Sequence, residues 1–148
     1  FIRKFRAKNR VKKKMSDKMI WVFNAHFDHV GKTARKKSSE LILKKIKELN
    51  TKFLPVVLMG DFNSNPDSDP IKVFKNSLQD ALEISETKLK GPRGTFNGFD
   101  NRHPLNNRID YIFVKNMKIL SYRHIDDRLK SNRHISDHFP VMITIQKI

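Results

Sequence analysis

The run Pro55-Val56-Val57-Leu58-Met59-Gly60 is apolar at nearly every position, and a strand of that kind belongs inside a sheet covered on both faces. Upstream of it, from about Lys32 to Leu49, the spacing predicts a helix. Ala34, Leu41, Ile42, Ile46 and Leu49 would form its buried stripe, Lys would fill the rest, and Asn50 would be the stop. Before Gly31, Met19 to Phe27 reads as a second strand. Strand, helix, strand in that order is the building unit of an α/β sheet.

The remaining segments extend the same sheet. Ile2 to Val11 reads as a polar edge strand, with Lys12 to Lys18 as its turn. Asp69-Pro70 has the chemistry of a cap and first-turn proline opening a short helix through Phe74. Leu78 to Glu86 fits either helix or strand, and Lys88 to Gly94 reads as loop. Thr95 to Phe99, Arg108 to Val114, Lys118 to Ile125 and Phe139 to Gln146 read as strands. The fold class is therefore α/β (α+β), a mixed sheet with helices on one face, in one domain over residues 1–148.

Composition narrows the function classes. A hydrophobic fraction of 38% with 11 Phe is enough for a core, and the absence of Cys excludes disulfides and thiolate zinc sites. No apolar run approaches the ~18–20 residues that cross a bilayer, and nothing in the composition fixes a cellular location. The formal charge is +16; nine Lys or Arg face Asp17 alone within residues 1–18, so half of the excess lies there. Such a stretch suits a polyanionic partner such as nucleic acid, or a merely solvated basic edge.

Polar residues collect where the apolar strands end. Asp61 and Asn63 lie two apart just after a strand and can face one crevice; an Asp there can hold a hard metal or take a proton from water, and an Asn can orient that water. The same stretch could also be an ordinary turn. His138 needs a partner to fix its tautomer, and Asp110, on the otherwise apolar strand Ile109-Asp110-Tyr111-Ile112-Phe113, is the natural candidate. A salt bridge from Asp110 to a Lys or Arg is the structural alternative. His26 and Asp28 alternate to one side of their strand, with His29 just beyond. His26-Phe27-Asp28-His29 also imitates part of the His-x-His-x-Asp-His signature of metallo-β-lactamase-type hydrolases, but the first His of that signature falls on Asn24.

Taken jointly, Asn24-Ala25-His26, Gly60-Asp61-Phe62-Asn63, Gly94-Thr95-Phe96, Arg108-Ile109-Asp110-Tyr111 and Ser136-Asp137-His138-Phe139-Pro140 stand in the order and rough spacing of a known group. From about residue 19 onward the chain resembles the endonuclease/exonuclease/phosphatase superfamily, the deoxyribonuclease-I-like fold. Gly91-Pro92-Arg93-Gly94-Thr95-Phe96-Asn97-Gly98-Phe99 is most similar to its generic bacterial branch. The resemblance implies a metal-dependent phosphoesterase that hydrolyses a phosphodiester or phosphomonoester by in-line attack of water. It places His26 on the scissile phosphate, Asp61 and Asn63 on the attacking water, Asp61 and Asp137 in the metal shell, and the His138–Asp110 pair on the transition state. Asn24, Asp28 and Phe96 would line the substrate site, with His29 and Arg108 as further candidates. Oxygen-rich ligands without thiols select Mg²⁺ or Mn²⁺.

The superfamily pattern also has an upstream half, which contributes an Asn and the principal metal-binding Glu. Asn9 sits in the basic stretch and no Glu occurs before Glu40, itself on the helix, so neither is matched. The expectation is a C-terminal portion, about half of a four-layer α/β/β/α sandwich, with its inner sheet face uncovered and weak activity alone. A non-catalytic basic nucleic-acid-binding module is the contrasting reading; it explains the charge but leaves Asp61, Asn63, Asp110, Asp137 and His138 without a purpose. The choice among nucleic acid, nucleotide, inositol and lipid phosphates is left open by the motifs.

Overall fold

The strand–helix–strand unit ahead of residue 60 organises the molecule as a parallel pair. In the computed structural model, which describes residues 2–7, 19–100 and 105–146, β2 (Ile20–Ala25) and β3 (Val56–Asp61) run parallel on either side of α1 (Lys32–Leu49) in sequence. β1 (Ile2–Ala7) is the antiparallel edge on β2. β5 (Asp110–Lys115) pairs antiparallel with β3, and β4 (Gln79–Asp80) adds a two-residue antiparallel ladder to β5. The mixed sheet thus has the order β1-β2-β3-β5-β4. β6 (Ile119–His124) and β7 (Val141–Ile145) form a separate two-stranded antiparallel ladder instead of extending that sheet. No helix among the described residues is long and apolar enough to cross a membrane.

Alternation on the strands sends side chains to two cores. Phe23, Leu58, Tyr111 and Phe113 face Ile42 and Ile46 of α1 and Phe74 of α2 (Asp69–Lys75), so both helices cover one face. Ile112 and Val114 face the other way, onto Ile119 and Tyr122 of β6, with Val57, Met59, Val141, Ile143 and Ile145 half-buried around them. The second face is therefore partly covered by the β6–β7 ladder rather than left bare. Phe62 is fully buried against the rings of Phe27, Phe74, Tyr111 and Phe113, at centroid distances of 5.0, 5.0, 6.0 and 6.0 Å. Burying such a ring is worth about 1.5–3 kcal/mol, and here it anchors the backbone between Asp61 and Asn63.

Several expectations need correction. α1 has the predicted bounds, but its buried positions are Ser39, Ile42 and Ile46; Leu41 and Leu49 are 47% and 37% exposed, and Ala34 is exposed. Stepping by three and four residues from Ser39 reaches Ile42 and Ile46, whereas Ala34 and Leu41 fall on the other side of the helix. Ser68, not Asp69, stands at the N-terminal boundary of α2, its hydroxyl donating back to the Asn65 carbonyl, and Asp69 is the first helical residue. Thr95 to Phe99 is no strand, retaining only an isolated bridge between Phe96 and His138. Consecutive positive φ at Gly98 (59°) and Phe99 (61°) turns the chain out of any ladder. Val11 and the Lys12–Lys18 turn lie outside the described residues.

Candidate active site

β3 and β5 end together, and their register sets Asp61 directly opposite Asp110. Two carboxylates facing each other across neighbouring strands repel, so such a pair persists only with compensation. Imidazoles supply it. His138 Nδ1 lies 2.8 Å from Asp110 Oδ2, and its Nε2 lies 4.0 Å from Asp61 Oδ2. His26 Nε2 reaches the same Asp61 oxygen at 3.3 Å while the ring stays 74% exposed. Ligand atoms of Asp61, Asp110 and His138 lie within 4.8 Å of one another.

Neighbouring loops hold these groups still. Gly60 has φ +145°, and a Cβ there would meet the Ala25 carbonyl oxygen at 1.8 Å, so only glycine lets β2 and β3 approach just before the carboxylate. Asn63 adopts φ +46°, a conformation Asn tolerates better than most residues. Its N–H donates to Asp61 Oδ1 at 2.8 Å and its Nδ2 to the Phe27 carbonyl at 2.9 Å, tying the end of β2 to the site. Thr95 Oγ1 accepts the N–H groups of Ile109 and Asp110, both at 3.0 Å, and fixes the start of β5. Asn97 clamps the downstream loop: its N–H donates to the Asp137 carbonyl at 2.8 Å and its Nδ2 to the Ser136 carbonyl at 3.0 Å. Phe96 packs edge-on against the His138 ring at 5.1 Å.

Electrostatics follow from this packing. Burial pushes the Asp61 carboxyl above its ordinary 3.8, assisted by the charge of Asp110 and opposed by the Asn63 N–H and both imidazoles. Burial alone would lower His138, but its hydrogen bond to Asp110 and the charges of Asp110, Asp61 and Asp137 carry it above 6.5. These neighbours thus favour the imidazolium over the neutral ring. A raised folded value stabilises the fold below the unfolded value near 6.5, and that contribution is lost as pH rises through the folded value. Asp110→Asn is expected to lower the His138 pKa, read from its ring resonances in an NMR pH titration; an unmoved value would remove Asp110 as the partner that holds the charge.

Other candidates are placed elsewhere. Asp137 is not one of the three residues of the 4.8 Å group, but its charge acts on His138 beside it. Asp28 spends its carboxylate on the N–H groups of Val30 (3.2 Å) and Gly31 (2.8 Å), ordering the turn into α1. His29, with 83% of its side chain exposed, lies beside Asp28, so the His26-to-His29 stretch does not converge as a metal-ligand set. Asn24 is exposed on β2. Arg108 turns inward: it is 6% exposed, and its Nη2 lies 2.6 Å from both carboxylate oxygens of buried Asp80. Thr95 and Asn97 were missed as positioning residues, although the Gly94-Thr95-Phe96-Asn97 stretch pointed at their loop.

Comparison with known proteins bears on the family and the fold. Residues 33–138 match the Endonuclease/Exonuclease/phosphatase family. A mannosyl-6-phosphatase from Bacteroides thetaiotaomicron is similar at 35% identity and TM-score 0.81, over 88% of this chain and 52% of that one. An endonuclease/exonuclease/phosphatase from Bacteroides vulgatus is similar at 29% identity and TM-score 0.81, over 99% and 54%. The fold is also that of D. rerio TDP2 complexed with single-strand DNA product, at 21% identity and TM-score 0.71, over 90% and 58%. No curated protein sequence matches the chain. The chain spans about half the length of the solved structures it matches.

Proposed function

The chain belongs to the endonuclease/exonuclease/phosphatase family, and from that premise we propose that it forms the catalytic C-terminal portion of a metal-dependent phosphoesterase acting by in-line attack of water. The observation that carries this reading is the convergence of His26, Asp61, Asn63 and the Asp110–His138 pair at one rim of the sheet. A basic nucleic-acid-binding module has no use for two opposed carboxylates, which would weaken its hold on a polyanion. The similar mannosyl-6-phosphatase supports a phosphomonoester substrate.

Each residue has a distinct task. Asp61, its carboxyl raised by burial, is the better base for being less acidic, and it takes the proton of the attacking water. Asn63 holds that carboxylate in place through its N–H and its amide. His138, fixed at Nδ1 by Asp110, presents Nε2 to charge developing on the phosphoryl oxygens. His26, exposed beside Asp61, donates to a non-bridging oxygen.

The donor set fits a hard divalent cation. Two opposed carboxylates, both partly buried, are relieved by positive charge, and Mg²⁺ needs only one or two protein carboxylates. Asp61 and Asp110 would hold Mg²⁺ or Mn²⁺, which when bound supplies Lewis-acid neutralisation of the phosphate. The test is hydrolysis of p-nitrophenyl phosphate and bis-p-nitrophenyl phosphate by this chain and by the polypeptide extended through the coding sequence upstream of Phe1. Turnover by the extended protein that is lost on chelation and restored by Mg²⁺ is expected, with little from the chain alone. Turnover indifferent to chelation would overturn the metal-dependent reading.

A further inference from the structure

A cavity of about 890 Å³ shares Asn63 and His138 with the catalytic cluster and runs from them to the first turn of α1. Its size lies within the roughly 300–1,000 Å³ of small-molecule pockets. Lys32, Arg35 and Lys36 line it against one acidic residue, Asp69, whose carboxylate is 3.4 Å from Lys36 Nζ. The first turn of α1 contains no acidic residue, so the positive end of that helix adds to the field of the cations. An independent observation lies in the same wall. Ser64 is 5% exposed, and its buried hydroxyl has no hydrogen-bond partner. Arg35 donates from Nη1 to the Asp28 carbonyl at 3.0 Å but keeps a buried Nε without a partner. Buried donors left this way cost free energy until a ligand satisfies them.

We propose that this cavity receives a second anionic group of the substrate, making the molecule hydrolysed a compact ester of the sugar-bisphosphate class. The inference rests on the phosphoesterase reading, because it seats the scissile phosphate on the neighbouring cluster. Lys32 and Lys36 supply charge to the distal group, while Ser64 and Arg35 offer donors that nothing else in the fold occupies. A flanking phosphate of a nucleic-acid strand carries the same charge. A volume in the small-molecule range, with Phe96 and Ile109 in its lining, favours a small molecule over a continuous strand.

Calorimetric titration of the 148-residue chain with fructose 1,6-bisphosphate, fructose 6-phosphate and a single-stranded thymidine tetranucleotide separates these cases. The bisphosphate is expected to bind at least about tenfold more tightly than the monophosphate. That ratio should fall toward one in Lys32→Glu and rise in Asp69→Asn, both at exposed positions where folding is checked by circular dichroism. Equal affinities, a ratio unmoved by Lys32→Glu, or preference for the tetranucleotide would overturn the proposal. Failure of the phosphoesterase reading looks different: neither sugar phosphate would then lose affinity in His138→Ala.

Discussion

Exchanging His138 for alanine in the extended protein is expected to lower phosphate-ester turnover by roughly 10²–10⁴-fold while the circular-dichroism spectrum of the fold is retained. The ring sits half-buried at the rim, between Asp110 and the edge of Phe96, and carries little of the core. Its loss removes the donor aimed at phosphoryl charge and also leaves Asp61 and Asp110 facing each other with less compensation. The Asp61 carboxyl should then rise further, so the acid limb of the pH–rate profile moves to higher pH. Asp61→Ala is expected to cost a similar factor, and the double variant much less than the product of the two, because both act on one developing charge. Turnover of His138→Ala within about twofold of the parent would reject the assignment.

Legibility in the sequence tracked the range of the interaction that decides each feature. Both ends of α1 could be read because Gly31 and Asn50 bracket a locally amphipathic run, and the strands around β3 and β5 because apolar content alone marks them. The stripe of α1 was misjudged since counting apolar residues admitted Leu41 and Leu49, whereas packing selected the small Ser39, whose hydroxyl bonds back to the Arg35 carbonyl at 3.1 Å. β4 is two residues long and exists only through its pairing to β5, which no local pattern records.

The site divides the same way. Asp61, Asp110 and His138 each stood out in a motif, yet their meeting depends on the β3–β5 register and on the clamp of residues 94–98 over 136–139. Asp137 lies in the bend before His138 and acts on that imidazole through its charge, an effect of the folded loop that no local pattern records. Arg108 stands two residues before Asp110 in one motif, yet its partner, Asp80, lies 28 residues away in sequence.

That pair yields the largest stability effect. Asp80→Ala or Arg108→Met alone is expected to destabilise the fold by about 3–5 kcal/mol, since each strands an uncompensated charge in the interior. Arg108 and Asp80 are 6% and 1% exposed, and the guanidinium stacks 4.3 Å from the centroid of the buried Tyr111 ring. Burial opposes the Arg108 charge, but Asp80 outweighs it and keeps the guanidinium ionised. A domain of ordinary stability, ~5–15 kcal/mol, would lose about a fifth of it or more. Asp80→Leu combined with Arg108→Met should recover most of the loss, because removing both charges removes the desolvation cost with the attraction. The urea midpoint measures this: at a slope of about 2 kcal/mol/M it should fall by roughly 2 M in either single variant and return in the double. Single variants within about 0.5 kcal/mol of the parent would mean that water reaches the pair and that Arg108 is available to the catalytic rim after all.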